Sequence, residues 1–255
     1  MSFDEDFGNT ASLADLWSGI GASARVKFWF GDQIKNGTTQ IGQTIEKGFL
    51  DQTTPTYIVQ PGMVVNQYSM DWTAKQKITG NVVYMGMTGA SQGTSALDAS
   101  PDATTSLTSF PVMACSANIG RIGEAGASLA SPNFVRALTF TIDNHITPIE
   151  TIGTVGASGL TGHANTVSGT LNTYFGDNTL LTKFFAGTLT SINVRAIKNN
   201  RAFIVTIPEV TYNADGSPNA SVQNQDVMLP LGWKASKEET YTNAHILFDR
   251  LEYYE

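Results

Sequence analysis

From Tyr68 the chain alternates strictly: Tyr68, Met70, Trp72 and Ala74 are apolar, and Ser69, Asp71, Thr73 and Lys75 are polar. A period of two marks a strand with one buried face. Residues 78–87 (ITGNVVYMGM) read as its partner strand, with 74–77 as the turn. Alternation returns at Leu138, Phe140 and Ile142, over Val167–Phe175 and Ile192–Ala196, and at Phe203, Val205 and Ile207. It returns twice more, at Val227, Leu229, Leu231, Trp233 and Ala235, and at Leu247, Leu251 and Tyr253. Proline cannot donate to a ladder, so Pro208 and Pro230 inside these runs predict edge positions or bulges. A further β-rich run, VKFWF, spans Val26–Phe30.

Helical periodicity is rare. Leu13, Leu16, Trp17 and Ile20 fit one short amphipathic helix with Ser12 as cap. A second is predicted in DNTLLTKFFAG, capped by Asp177 or Asn178, with Leu180, Leu181, Phe184 and Phe185 on one face and Gly187 at its end. Between the patterned segments, 37–44 reads as polar loop. Residues 88–132, dominated by Gly, Ala, Ser, Thr and Asp with Phe110 as the sole aromatic, read as a long flexible loop or insertion. The glycines at 153, 156, 159 and 162 predict a turn-rich connection. Asn213-Ala214-Asp215-Gly216 predicts a hairpin turn with Gly216 at positive φ.

Many strands, few helices and no strand–helix rhythm define the expected class: mainly β, an antiparallel sandwich or barrel with a flanking helix and long loops. A parallel doubly wound fold is disfavoured. A chain of 255 residues can bury one large core. We expect a single domain over 1–255, with an amino-terminal segment at 1–34.

Composition narrows the function. Charged residues make up 15%, against about 25% in an average domain, while Gly (24) and Thr (31) are abundant. The 22 acidic and 15 basic residues leave a net charge of −7, the wrong sign for wrapping a duplex. The single cysteine, Cys115, excludes an internal disulfide, and nothing in the sequence has zinc-site spacing. The chain opens MSFDEDFGNT, acidic where a secretory signal is basic, so synthesis in a cytoplasm is expected. No apolar run approaches the roughly 20 residues of a membrane helix, and no membrane insertion is expected.

Candidate chemistry is thin. Gly89-Ala90-Ser91-Gln92-Gly93 fits the GxSxG string of a nucleophile elbow, but an elbow must enter a helix at once, and TSALDASPDATTS follows. His145, His163 and His245 are far apart and lack second ligands at metal-site spacing. Glu238-Glu239 and Asp4-Glu5-Asp6 read as solvated surface. We expect no enzymatic activity, no catalytic residue, no cofactor and no metal.

An ordered series of short strings completes the reading. It runs Thr44-Ile45-Glu46-Lys47-Gly48-Phe49-Leu50-Asp51, Pro61-Gly62-Met63-Val64-Val65-Asn66, the alternating strand, and Ile78-Thr79-Gly80 with the strand to Gly86. Then come LTFTIDN (138–144), Ile152-Gly153, Val167-Ser168-Gly169-Thr170-Leu171, the Tyr174-Phe175 entry to Leu180-Leu181 and Phe184, Ile207-Pro208-Glu209-Val210, and Asp226 to Ala235. From about Gly37 to the carboxyl end this order resembles the tail tube proteins of long-tailed bacteriophages. The family pattern leads us to expect further strands ahead of the TIEKGF-like run.

The resemblance implies a structural subunit of a viral tail tube, in the virion tail and made in the host cytoplasm. Subunits would close into hexameric or pseudo-hexameric rings that stack and conduct genome DNA, with sheets pairing edge to edge into an inner barrel. Its partners would be itself, the tape measure, tail terminator and distal tail proteins, and DNA in transit without sequence-specific binding. It also implies that 37–57 is a long inter-subunit loop, with Ile45, Phe49, Leu50 and Tyr57 as apolar contacts. The negative balance then leads us to expect an acidic lumen. Rival readings are a contractile-tail or secretion-system tube subunit, a lectin- or adhesin-like β-sandwich binding module, and a hydrolase using Ser91.

Overall fold

The computed structural model describes residues 28–37, 39–87, 90–97, 112–129, 131–153, 156–199, 201–214, 216–219 and 226–254, and all that follows concerns these. The helix expected at 12–20 lies outside them. In chain order the strands are β1 (Phe28–Lys35), β2 (Gln43–Phe49), β3 (Thr56–Thr73), β4 (Thr79–Met85), β5 (Ser91–Gly93), β6 (Ile119–Glu124), β7 (Ala127–Ser128) and β8 (Val135–Asp143). After them come β9 (Thr147–Glu150), β10 (Ala157–Thr161), β11 (Thr166–Tyr174), β12 (Thr190–Lys198), β13 (Arg201–Ala214), β14 (Met228–Ala235) and β15 (Leu247–Tyr254). One helix, α1 (Thr179–Ala186), joins β11 to β12.

The protein is mainly β, as its alternation predicts, with thirteen strands in one antiparallel sheet folded into a sandwich. One layer runs β4–β3–β8–β11–β14. β13 then turns the corner: Val210–Ala214 pairs with β14, whereas Arg201–Thr206 pairs with β15, which carries β1 on its far side. A bulge at Pro208-Glu209, opposite Ser191 of β12, sits at that corner, where a strand changing sheets needs one. Pro230 lies in the part of β14 that has no β13 partner, so both prolines occupy the edge or bulge positions expected.

The apolar halves of the alternating strands meet between the layers. Trp72, Leu138, Phe140, Leu171, Val205 and Ile207 are buried. Trp72 stacks on Phe203 (6.2 Å between centroids), Phe203 on Phe248 (5.9 Å), and Phe248 packs against Phe140 (5.9 Å) and Tyr68 (6.2 Å). Each large side chain so buried contributes roughly 2–3 kcal/mol of transfer free energy. At the centre of β11, a Cβ on Gly169 would lie 2.0 Å from the Thr139 carbonyl oxygen and 2.6 Å from the Trp233 ring. Only glycine lets the indole and the β8 backbone come this close to that strand.

Helix α1 starts where Asp177 accepts the Thr179 N–H (2.9 Å) and is itself held by Asn133 Nδ2 (2.6 Å), so Asp177 supplies the capping side chain. It ends at Gly187 in the left-handed conformation, as expected. Leu180 is buried and Leu181 and Phe184 pack on the core, but Phe185, expected on the same face, is 75% exposed. Lys183 reaches back to the buried Glu124 of β6, donating to both carboxylate oxygens (2.8 and 2.6 Å), and Thr190 also donates to Glu124.

Three expectations need correction. Residues 88–132 are not one loop: β5, β6 and β7 lie within them, and β6 pairs with β12. Ile119 and Ile122 pack on the core from a six-residue strand too short to show a period. Residues 37–57 are not a loop either, since β2 pairs with β3 through Phe49–Thr56 to Gln43–Met63. Gly216 is not at positive φ; a Cβ there would lie 2.4 Å from the Phe184 ring, so the residue is small to admit α1.

We predict that Gly169→Ala destabilises the fold by about 3 kcal/mol, the upper range for overpacking a core. Chemical denaturation with an unchanged m-value is the check.

Candidate assembly interface

The residues expected to touch neighbouring subunits lie on a projecting arm. β3 has 18 residues, of which only the second half belongs to the sandwich. The first half forms a three-stranded arm with β2 on one side and β5 on the other. The change of role happens at two bulges. At the first, Pro61-Gly62 faces Thr44, with Gly62 at φ +64 over Met87. At the second, Asn66 is the extra residue against β4; its backbone oxygen accepts from Asn144 N and its side-chain oxygen from Ile146 N (2.8 Å each).

The arm does not gather the four expected contacts on one face. Ile45 and Phe49 share a face with Lys47, whose ammonium lies 4.9 Å from the Phe49 ring centre, and with Ile58. Tyr57 points the other way, its ring against Gly48. Leu50 stands at the hairpin tip, 70% exposed. A second projection, the β9–β10 hairpin, carries the exposed Ile149 and Ile152 and is tied to the arm's base by Ala157 N donating to Met87 O (2.8 Å). Gly153 and Gly156 form its turn at positive φ, so the glycine-rich stretch is a hairpin.

Two more surfaces escaped sequence reasoning. β4 pairs only with β3, leaving its other edge free among the described residues, and Val82 and Val83 are both exposed there. The sequence signal was the absence of proline or lysine from TGNVVYM, the residues that usually blunt an edge. The second is the turn after β14. Read as solvated surface, Glu238 instead folds it: its carboxylate accepts from the backbone N–H groups of Thr240, Tyr241 and Thr242 and from the Thr242 hydroxyl. Tyr241 projects from this turn, 91% exposed. From the other side, Asn36 Oδ1 accepts from His245 N (2.8 Å).

The candidate chemistry does not assemble into a site. Ser91 lies in strand β5 opposite Val59, with no helix entry among the described residues, so the elbow geometry is missing. His145 and His163 each bond a threonine, Thr166 (3.1 Å) and Thr147 (3.0 Å). Burial, aided by Asp71, raises the Cys115 thiol pKa, which disfavours the nucleophilic thiolate. Among the described residues no group of three or more His, Cys, Asp or Glu could hold a metal, and no helix is long and apolar enough to cross a membrane.

What remains is a rigid sandwich with an open sheet edge and projecting, apolar-tipped hairpins, the form of a β protein built to contact other proteins. A family model described as phage tail tube protein matches residues 6–235, and the chain belongs to that family. Its role is structural, as a component of the virion tail that assembles with itself and with other tail proteins. No curated protein matches the chain.

The backbone donors, the Thr242 N–H foremost, hold the Glu238 carboxyl at about 2, below its usual value of 4.5. A depressed carboxyl pKa stabilises the turn above pH 4.5, and that contribution is lost as pH falls from there towards 2. We predict an NMR titration midpoint for Glu238 near 2 and, in Glu238→Gln, faster hydrogen exchange at the Tyr241 and Thr242 amides. A midpoint at the ordinary value contradicts this account of the turn.

Proposed function

We propose that the protein closes into rings, hexameric or pseudo-hexameric, which stack into a tube through which genome DNA passes. Beyond family membership, the open β4 edge carries this reading. Head-to-tail contacts that close by rotation need two different complementary surfaces on each subunit, and a free strand edge supplies one of them. The arm, with Ile45, Phe49, Leu50 and Tyr57, and the β9–β10 hairpin supply contacts to adjoining subunits. Because Tyr57 faces away from Ile45 and Phe49, the arm is inserted between neighbours and is not laid on one. The tape measure, tail terminator and distal tail proteins are the partners expected at the ends and within the lumen.

Electron microscopy of the purified protein at rising concentration tests the reading. Rings or tubes are expected; a stable monomer at all concentrations overturns it. Val83→Lys should abolish ring formation while circular dichroism and melting stay unchanged, because a lysine on the open edge opposes pairing without touching the core. Leu50→Asp should weaken stacking, giving isolated rings or short tubes from a subunit of unchanged stability.

A further inference from the structure

In the second layer β1, β15, β13, β12 and β6 run side by side. Phe248, Phe203, Val205 and Val194 turn to the core, so the residues between them form an outer face. One row across that face is apolar: Leu251 on β15, Ala202 on β13 and Ile197 on β12. The next row holds Asp249, Ile204 and Arg195 and ends on β6 at Arg121. Leu251, Ala202, Ile204 and Ile197 are not part of the core and do not pack on it. Arg195 and Arg121 are direct cross-strand partners. Like charges so placed repel, and among the described residues neither arginine has an ion-pair partner. The nearby acid, Asp249, accepts from Gln33 Nε2 (2.8 Å). Glycines on β6 make room for both guanidinium groups. A Cβ on Gly120 would lie 3.1 Å from Arg195 Nε, and one on Gly123 3.2 Å from Arg121 Nε. The two cations thus lie against the strand, beside the apolar row.

We propose that the chain's own amino-terminal segment straps this face, with Leu13, Leu16, Trp17 and Ile20 on the apolar row and Asp4, Glu5 and Asp6 against Arg121 and Arg195. Both complements stand in one stretch of sequence, an acidic triplet followed by the amphipathic pattern of 12–20. The connection is short as well. The described chain enters the layer at Phe28, paired with Tyr254 at the end where β12 turns into β13, and the apolar row lies just inside that end. Residues 21–27 reach up to roughly 25 Å, against about 14 Å from β1 across to β12. A helix over 12–20, as the periodicity predicts, adds about 13 Å, which carries the acidic triplet to β6. Covering the row removes apolar side chains of both partners from water. The carboxylates offset the repulsion within the arginine pair. The strap concerns one subunit, and it is independent of the tube reading.

The test uses the full chain carrying Arg195→Lys and a zero-length carbodiimide, which joins a carboxylate to an amine only where the two touch. Mixing isotope-labelled with unlabelled protein separates links within a chain from links between chains by mass spectrometry. A link from Asp4, Glu5 or Asp6 to position 195 within one chain is expected. Links to position 195 that form only between chains overturn the assignment to the chain's own segment, and no link from these acids to position 195 overturns the docking. Hydrogen exchange supplies a second measurement. Arg121→Glu combined with Arg195→Glu should speed amide exchange over 12–20 several-fold while β13 exchanges as before. Adding Asp4→Lys, Glu5→Lys and Asp6→Lys to that variant should restore the slow exchange. Exchange over 12–20 that ignores the reversed arginines, or that the swapped charges fail to restore, overturns the charge pairing.

Discussion

The stack of Trp72, Phe203, Phe248, Phe140 and Tyr68 is the contact on which the other features depend. A single antiparallel layer cannot hold a shape in water, because half of its side chains need cover. Here the cover is the β13–β15–β1 layer, and aromatic rings from β3 and β8 meet rings from β13 and β15 at offset or edge-on geometries, which are favoured over flat sandwiches of rings. With one face fixed, the other face of the same layer is left free to be mostly polar, with Val83 and Ala137 among its hydroxyl and amide side chains. The sharp division between a dry aromatic side and a hydroxylated side, strand after strand, follows from that closure.

Irregularities in the ladders then distribute the work. The Pro208-Glu209 bulge lets β13 serve two layers, and the bulges at Pro61-Gly62 and Asn66 let β3 leave the sandwich without ending. Asn66 and Asn144 satisfy the backbone groups freed at the departure point. Such devices pair the backbone groups released at a bulge while directing chain outward. The Glu238 turn follows the same logic, with a carboxylate replacing strand partners for consecutive N–H groups.

Strands with one dry face were legible in the sequence because burial writes a period of two: Tyr68–Ala74, Leu138–Ile142 and Met228–Ala235 lie where the alternation puts them. Elements wet on both faces were not. β2 reads QTIEKGF and β5 reads SQG, and no period separates them from loop. β6 was hidden because IGRIGE is short and glycine-rich, and its burial depends on β12, some seventy residues later. The same limit governed the candidate contacts. Ile45, Phe49, Leu50 and Tyr57 stood out as apolar residues in a polar stretch, but their division between two faces is set by pairing with β3.

The unbroken course of β3 has a mechanical consequence. Its 18 residues run roughly 60 Å if fully extended, from the arm's tip to the turn beside the aromatic stack. A pull on the arm is therefore carried by covalent backbone into the middle of the sandwich. There β3 is flanked by β4 and β8 along its length, so their ladders are loaded in shear, with many hydrogen bonds resisting together instead of one after another. A tail under strain would pass load into the core of each subunit through this strand.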